Sequence, residues 1–193
     1  MSDVETNEKT ETNETKNVVI TGTNNRYLIK RANRVKNEVK KREIMNKYNI
    51  LDNYLNYTKQ LEMLKEIHYK KNEGIDGNEK KIIIQELDKK LKSYKQQDII
   101  KKIYDETLFI DIHTILQRLI DCKLSCYYCK CELYVLYENV RELYQWTIDR
   151  VDNSLGHNKD NFVIGCLNCN IKRRKTHADK FLFTKQLNLI KRG

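Results

Sequence analysis

All six cysteines of this 193-residue chain fall between Cys122 and Cys169. SCYYCKC sets Cys126 and Cys129 two residues apart, and GCLNCN repeats that spacing at Cys166 and Cys169 after a gap of 36 residues. A C-x2-C turn aims both sulfurs at one ion, and two such turns complete a tetrahedral thiolate site with no position left for water. The doubled spacing therefore predicts a structural Zn²⁺ on Cys126, Cys129, Cys166 and Cys169. Its binding would supply on the order of 10 kcal/mol to the folding of the module it braces. The bland alternative is a set of buried or reactive thiols without metal. Cys122 and Cys131 are left over, and Cys131 is near enough in sequence to compete with Cys129.

Between the two cysteine pairs runs ELYQWTIDRVDNSLGHNKDNFVIG. Trp146 to Arg150 alternates and is rich in β-formers, which predicts a strand. DNSLGHNKDN reads as a polar loop, Asn161 to Ile164 as a second strand, and NIKRRKTHADKFLF as a helix with its basic residues in the first turns. The order is strand, loop, strand and helix, tied at the base by metal.

Residues 126–175 resemble the HNH endonucleases, whose ββα-metal module is often braced by two CxxC knuckles. The resemblance rests on Asp149 at the end of the first strand, Asn161 opening the second, and Cys169, Asn170 and Lys172 in a CNxxK pattern. It covers about a quarter of the chain. It implies that Asp149 and Asn170 hold a catalytic Mg²⁺ or Mn²⁺, that Asn161 pins the loop, and that the substrate is DNA, double-stranded by analogy. Where the family carries its general-base histidine, this chain has Arg150. A guanidinium cannot accept a proton at neutral pH but can bind phosphate bidentately. Another base is then required, and His157 in the loop titrates in the right range; Asp152 is nearer in sequence. DRxDN at this place is similar to viral and phage members of the family. The alternative is a catalytically inactive, zinc-stabilised module that binds nucleic acid. Lys172, Arg173, Arg174 and Lys175 on the following helix are expected to position phosphates. His177 is expected two helical turns beyond Asn170 as a surface residue. Tyr127 and Tyr128 are expected to pack the metal site.

The elements that would present these groups are mostly helical. Leu28, Ala32, Val35 and Val39 recur at helical spacing, as do Leu51, Leu55, Leu61 and Leu64; then Ile84, Leu87, Leu91 and Tyr94; and last Leu108, Ile112, Ile115 and Leu119. KNEGIDGNEK (71–80) reads as a turn. His68 and His113 look like ordinary helix residues. The expected fold class is α+β: an acidic disordered tail at 1–24, a helical region at 25–120, a zinc-braced ββα-metal domain at 121–185 and a basic tail at 186–193.

Lysine and arginine total 37 against 27 acids, a net charge of +10. The first 24 residues carry five acids and two lysines, whereas eight basic residues and one acid follow from Asn170 onward. Such a field attracts polyanions. No apolar run approaches the roughly 18 residues of a membrane span, and the N-terminus lacks the apolar core of a secretory signal. The expectation is an intracellular protein with no membrane partner. A homodimer through the helical region would be the route to double-strand cleavage. A third reading makes that helical region an interaction surface in its own right, with the cysteine module as its brace.

Overall fold

A computed structural model describes residues 39–44, 52–69 and 77–187. A 3-10 turn (Asp52–Leu55) leads into α1 (Tyr57–Tyr69), followed by α2 (Asn78–Ile100) and α3 (Ile112–Asp121). The irregular cysteine-rich stretch then gives way to β1 (Trp146–Arg150), β2 (Phe162–Cys166), α4 (Leu167–Arg173) and α5 (Ala178–Gln186). The fold is α+β: among the described residues, α1, α2 and α3 precede a small antiparallel hairpin, and α4 and α5 follow it. The expected tail at 1–24, the first apolar stripe up to Val35, and most of the turn at 71–80 lie outside the described residues. Val39 is described and is exposed.

Each helix is held by an apolar stripe that differs somewhat from the expected one. On α1 the inward face is Gln60, Met63, Leu64 and Ile67. On α3 it is Ile115, Leu116, Leu119 and Ile120, and Asp111 caps the N-terminus by accepting the Thr114 amide at 2.7 Å. Leu108 lies in the turn before α3 and is half exposed, so the stripe starts one turn later than the spacing suggested. On α2 the buried positions are Ile82, Ile83, Glu86, Leu87 and Asp98. Two carboxylates on an inward face need partners. Glu86 finds Arg42 at 2.5 Å, and Asp98 finds the loop between the strands.

The apolar core runs without a break from the helices into the cysteine-rich segment. Leu64, Ile83, Leu87, Ile115 and Leu119 share one cluster with Leu124, Leu133, Trp146, Ile148 and Ile164. All described residues fall in one compact unit. Gln60 joins the two halves by hydrogen bonds. Its Oε1 accepts the amides of Val135 at 2.8 Å and Leu136 at 3.0 Å, and its Nε2 donates to the Leu136 carbonyl at 2.9 Å. A fully buried amide satisfied on three sides contributes roughly 1 kcal/mol per bond.

β1 and β2 pair antiparallel with Trp146 opposite Cys166, Ile148 opposite Ile164 and Arg150 opposite Phe162. All five residues of β1 are buried, so the strand is covered on both faces and does not alternate. Tyr94 of α2 covers the middle of β1, its hydroxyl accepting the Ile148 amide at 3.0 Å. The helix expected from Asn170 to Phe183 is two helices. The chain turns at Arg174 (φ 52°), and His177 caps α5 by accepting the Asp179 amide at 3.3 Å. His177 is exposed, as expected, but it does not lie on the helix that carries Asn170.

Candidate active-site cleft and cysteine cluster

Sulfurs of Cys126, Cys129, Cys131 and Cys166 lie within 4.8 Å of one another, close enough to hold one metal ion. Tetrahedral Zn–S bonds of about 2.3 Å require S···S edges of roughly 3.8 Å. Cys129 and Cys166 stand 3.8 Å apart, while Cys129 and Cys131 are closer at 3.3 Å. This quartet holds Cys131 where the paired spacing placed Cys169. The reason is local: Lys130 adopts φ 59°, reversing the chain so that its two flanking cysteines converge. Cys169 adjoins the cluster, its amide donating to Cys166 Sγ at 3.3 Å; the Cys166 amide donates in turn to Cys126 Sγ at 3.3 Å. Such N–H donors favour thiolate over thiol. The Cys126 thiol is pulled well below the ordinary thiol range, chiefly by its hydrogen bond with Cys166. Cys122 belongs elsewhere: its thiol bonds the Leu119 carbonyl at 3.4 Å, and burial raises its pKa.

A cleft of about 630 Å³ opens between α2 and the β1–α4 corner. It brings Asp149, Arg150, His157 and Asn170 to one wall system, four of the five residues expected to be catalytic. Lys101 and Arg174 add positive charge, and Tyr94, Ser93 and Gln97 of α2 form the opposite side. Asn161 is not in the lining. It sits beneath, accepting the Asp152 amide at 2.8 Å and donating to the carbonyls of Asp152 at 2.9 Å and Gly156 at 3.0 Å. Those three bonds pin the loop that carries His157.

Asp149 is not the open carboxylate that its position suggested. Its Oδ2 accepts from Arg173 Nε at 2.6 Å and from Tyr128 at 2.8 Å, and its Oδ1 accepts from Arg173 Nη2 at 2.7 Å. Three of roughly four acceptor positions are used. Arg173 is correspondingly misplaced by the sequence reading. It is 1% exposed and also donates to the carbonyls of Arg150 at 2.5 Å and Thr176 at 2.7 Å, so it anchors α4 and cannot meet a phosphate. Lys172, Arg174 and Lys175 remain exposed. Burial and the Asp149 charge both raise the Tyr128 pKa, which keeps that hydroxyl a donor. Tyr128 is fully buried, its ring edge-on to Phe181 and its hydroxyl on Asp149, and Tyr127 is half-buried beside it.

Arg150 uses Nη1 to hold the loop, donating to the carbonyls of Asn153 at 3.1 Å and Leu155 at 2.7 Å, with the side chain on the cleft wall. Asn170 donates through Nδ2 to Thr147 Oγ1 and the Ile148 carbonyl, each at 3.2 Å. Both bonds use the nitrogen, which leaves the amide oxygen unengaged among the described residues.

His157 is buried, with Nδ1 2.7 Å from Asp98 Oδ1 and its ring stacked on Tyr94 at 4.6 Å between centroids. Burial lowers its pKa, and Asp98 opposes that shift. The ring nitrogen left over is Nε2. Neither Asp98 nor Tyr94 was legible as a site residue, because α2 ends more than fifty positions before the loop. Lys90, at the back of the cleft, donates to Gln145 at 3.0 Å and to the Trp146 carbonyl, and burial lowers its pKa to about 7.

Among the described residues no helix is long and apolar enough to cross a membrane. No family model, curated protein or solved structure matches the chain.

Proposed function

We propose that the chain is an HNH-type endonuclease that hydrolyses DNA phosphodiester bonds in the cleft between α2 and the β1–α4 corner. The observation that carries this reading is the convergence of Arg150, His157 and Asn170 on one basic cleft, beside a cysteine cluster suited to structural Zn²⁺. The sequence resemblance at Asp149, Asn161 and Asn170 supports it independently.

In this reading His157 Nε2 takes a proton from water. The oxygen so freed bonds phosphorus as the bond to the leaving strand breaks, and the leaving oxygen is protonated in turn. Arg150 neutralises the phosphate, and Lys101 and Arg174 hold the flanking backbone. Lys172 and Lys175 add sequence-independent affinity further out.

The oxygen donors toward a Mg²⁺ or Mn²⁺ ion are the Asn170 amide oxygen and the one Asp149 position left by Arg173 and Tyr128. They are of the type such ions take, which commonly rely on one or two protein oxygens plus substrate phosphate. When bound, the ion would stabilise the charge developing on the phosphoryl and leaving oxygens.

The second reading is a catalytically inactive module that binds nucleic acid in the same cleft. The pairing of Asp149 with Arg173 favours it. Supercoiled plasmid treated with the protein in Mg²⁺, Mn²⁺ or EDTA separates the two. Nicking that requires metal and disappears in Asn170→Ala and His157→Gln supports the nuclease. Equal gel shifts without nicking by any of the three leave the binding module.

A further inference from the structure

Asp98 is a buried carboxylate at 0% exposure, and among the described residues its ion-pair partner is His157 and no lysine or arginine. Both of its oxygens serve one residue. Oδ1 stands 2.7 Å from His157 Nδ1, and Oδ2 accepts the His157 backbone amide at 2.6 Å. Burying a charge that only hydrogen bonds compensate is costly, and the neighbouring loop is shaped to allow it. A Cβ at Gly156 would come within 2.6 Å of the Ile103 carbonyl oxygen and 2.9 Å of Asp98 Oδ2. Only glycine lets the chain pass that close. The loop is further held by the His157 carbonyl, which accepts the Ile110 amide at 3.0 Å. Tyr94 stacks on the ring and is itself fixed to β1 through the Ile148 amide.

We propose that Asp98 is the positioning residue for His157, so that helix α2 completes the catalytic site of the cysteine-braced hairpin. This rests on His157 acting as the base. A carboxylate only accepts, so the Nδ1 that faces it carries the hydrogen of the neutral ring, and the lone pair sits on Nε2, toward the cleft. As the ring gains a proton during attack, Asp98 stabilises the imidazolium. The charged groups facing the ring are Asp98 and Lys101 at the end of α2 and Arg150 of β1.

Asp98→Asn inverts this arrangement. The amide oxygen would meet the His157 backbone N–H, and the amide NH₂ would then face Nδ1. Nδ1 becomes an acceptor, the hydrogen moves to Nε2, and the base is lost. The same swap in a Ser-His-Asp triad lowers turnover about 10⁴-fold through the wrong tautomer, and a loss of roughly 10²–10⁴-fold is expected here.

Two measurements on the full chain decide it. Nitrogen-15 imidazole spectra of the wild type at pH above its titration should place the proton on Nδ1 of His157, and in Asp98→Asn on Nε2. Plasmid nicking by Asp98→Asn should fall by the stated factor at equal DNA affinity. The acid limb of its residual pH profile should move to lower pH, because the carboxylate that raised the ring pKa is gone. A wild-type ring protonated on Nε2, or Asp98→Asn nicking at the wild-type rate, overturns the proposal. The wild-type spectrum needs neither a variant nor substrate. A wild type that binds but never nicks therefore refutes the nuclease reading and the catalytic consequence, while the spectrum still decides whether Asp98 sets the tautomer.

Discussion

Replacing Arg173 by alanine separates an anchoring role from a phosphate-binding one. The guanidinium makes two bonds to Asp149, one to the buried Arg150 carbonyl, and weaker or more exposed ones to Thr176 and Asn153. Water can replace the last two. Asp149 is 5% exposed and would keep only Tyr128, so its charge would be left nearly uncompensated. Breaking a buried ion pair from one side costs about 3–5 kcal/mol. With total stabilities of roughly 5–15 kcal/mol, Arg173→Ala should remove a large part of the whole. At a urea dependence of about 2 kcal/mol per molar, a loss of about 4 kcal/mol lowers the midpoint by about 2 M. Urea unfolding followed by circular dichroism measures this, with the exposed Arg174→Ala as a control expected within about 0.5 kcal/mol of wild type. If Arg173→Ala unfolds at the wild-type midpoint and weakens DNA binding as much as Arg174→Ala, the anchoring account is wrong. The same reasoning makes Asp149→Ala a poor test of metal binding, since it would strand Arg173.

Other consequences follow from the same contacts. Asn161→Ala removes three hydrogen bonds from the loop and should cost about 2–3 kcal/mol; hydrogen exchange at the Asp152 amide should accelerate, and unchanged protection would contradict the pinning role. Burial holds the folded pKa of His157 below its unfolded value of about 6.5. The unfolded chain therefore binds the proton more readily, so this contribution to stability is whole above about pH 6.5 and is lost as pH falls toward the folded pKa. Urea titrations at pH 7.5 and 5.5 should show a larger acid loss for wild type than for His157→Gln, and equal losses would remove the effect. Purified protein should carry one metal ion per chain, retained in Cys122→Ser and lost in Cys126→Ser or Cys166→Ser; elemental analysis with a thiol assay reads this directly.

How far the sequence revealed these features depended on whether the forces were local. The hairpin was readable because Trp146 to Arg150 is β-prone and the cysteine pairs bracket it, and β2 begins only one residue later than expected. The loop role of Asn161 was an implication of the resemblance, and its position alone reads equally as a turn asparagine. The α4–α5 break was not, because it follows from Arg173 folding back to Asp149, a contact 24 residues away that leaves no mark on helical periodicity. The same blindness hid Asp98. An apolar count along α2 passes over an inward carboxylate, and its partner lies 59 residues further on. Cys131 was open as an alternative ligand, but only the left-handed turn at Lys130 explains why its sulfur joins Cys129.

On the proposed reading His157, held toward the cleft by α2, activates water at a phosphodiester. Single-turnover cleavage of an end-labelled DNA duplex, with metal in excess and binding measured in parallel, tests it most directly. His157→Gln should bind the duplex like wild type and cleave it at least about 10²-fold more slowly. Cleavage by His157→Gln at the wild-type rate would contradict it.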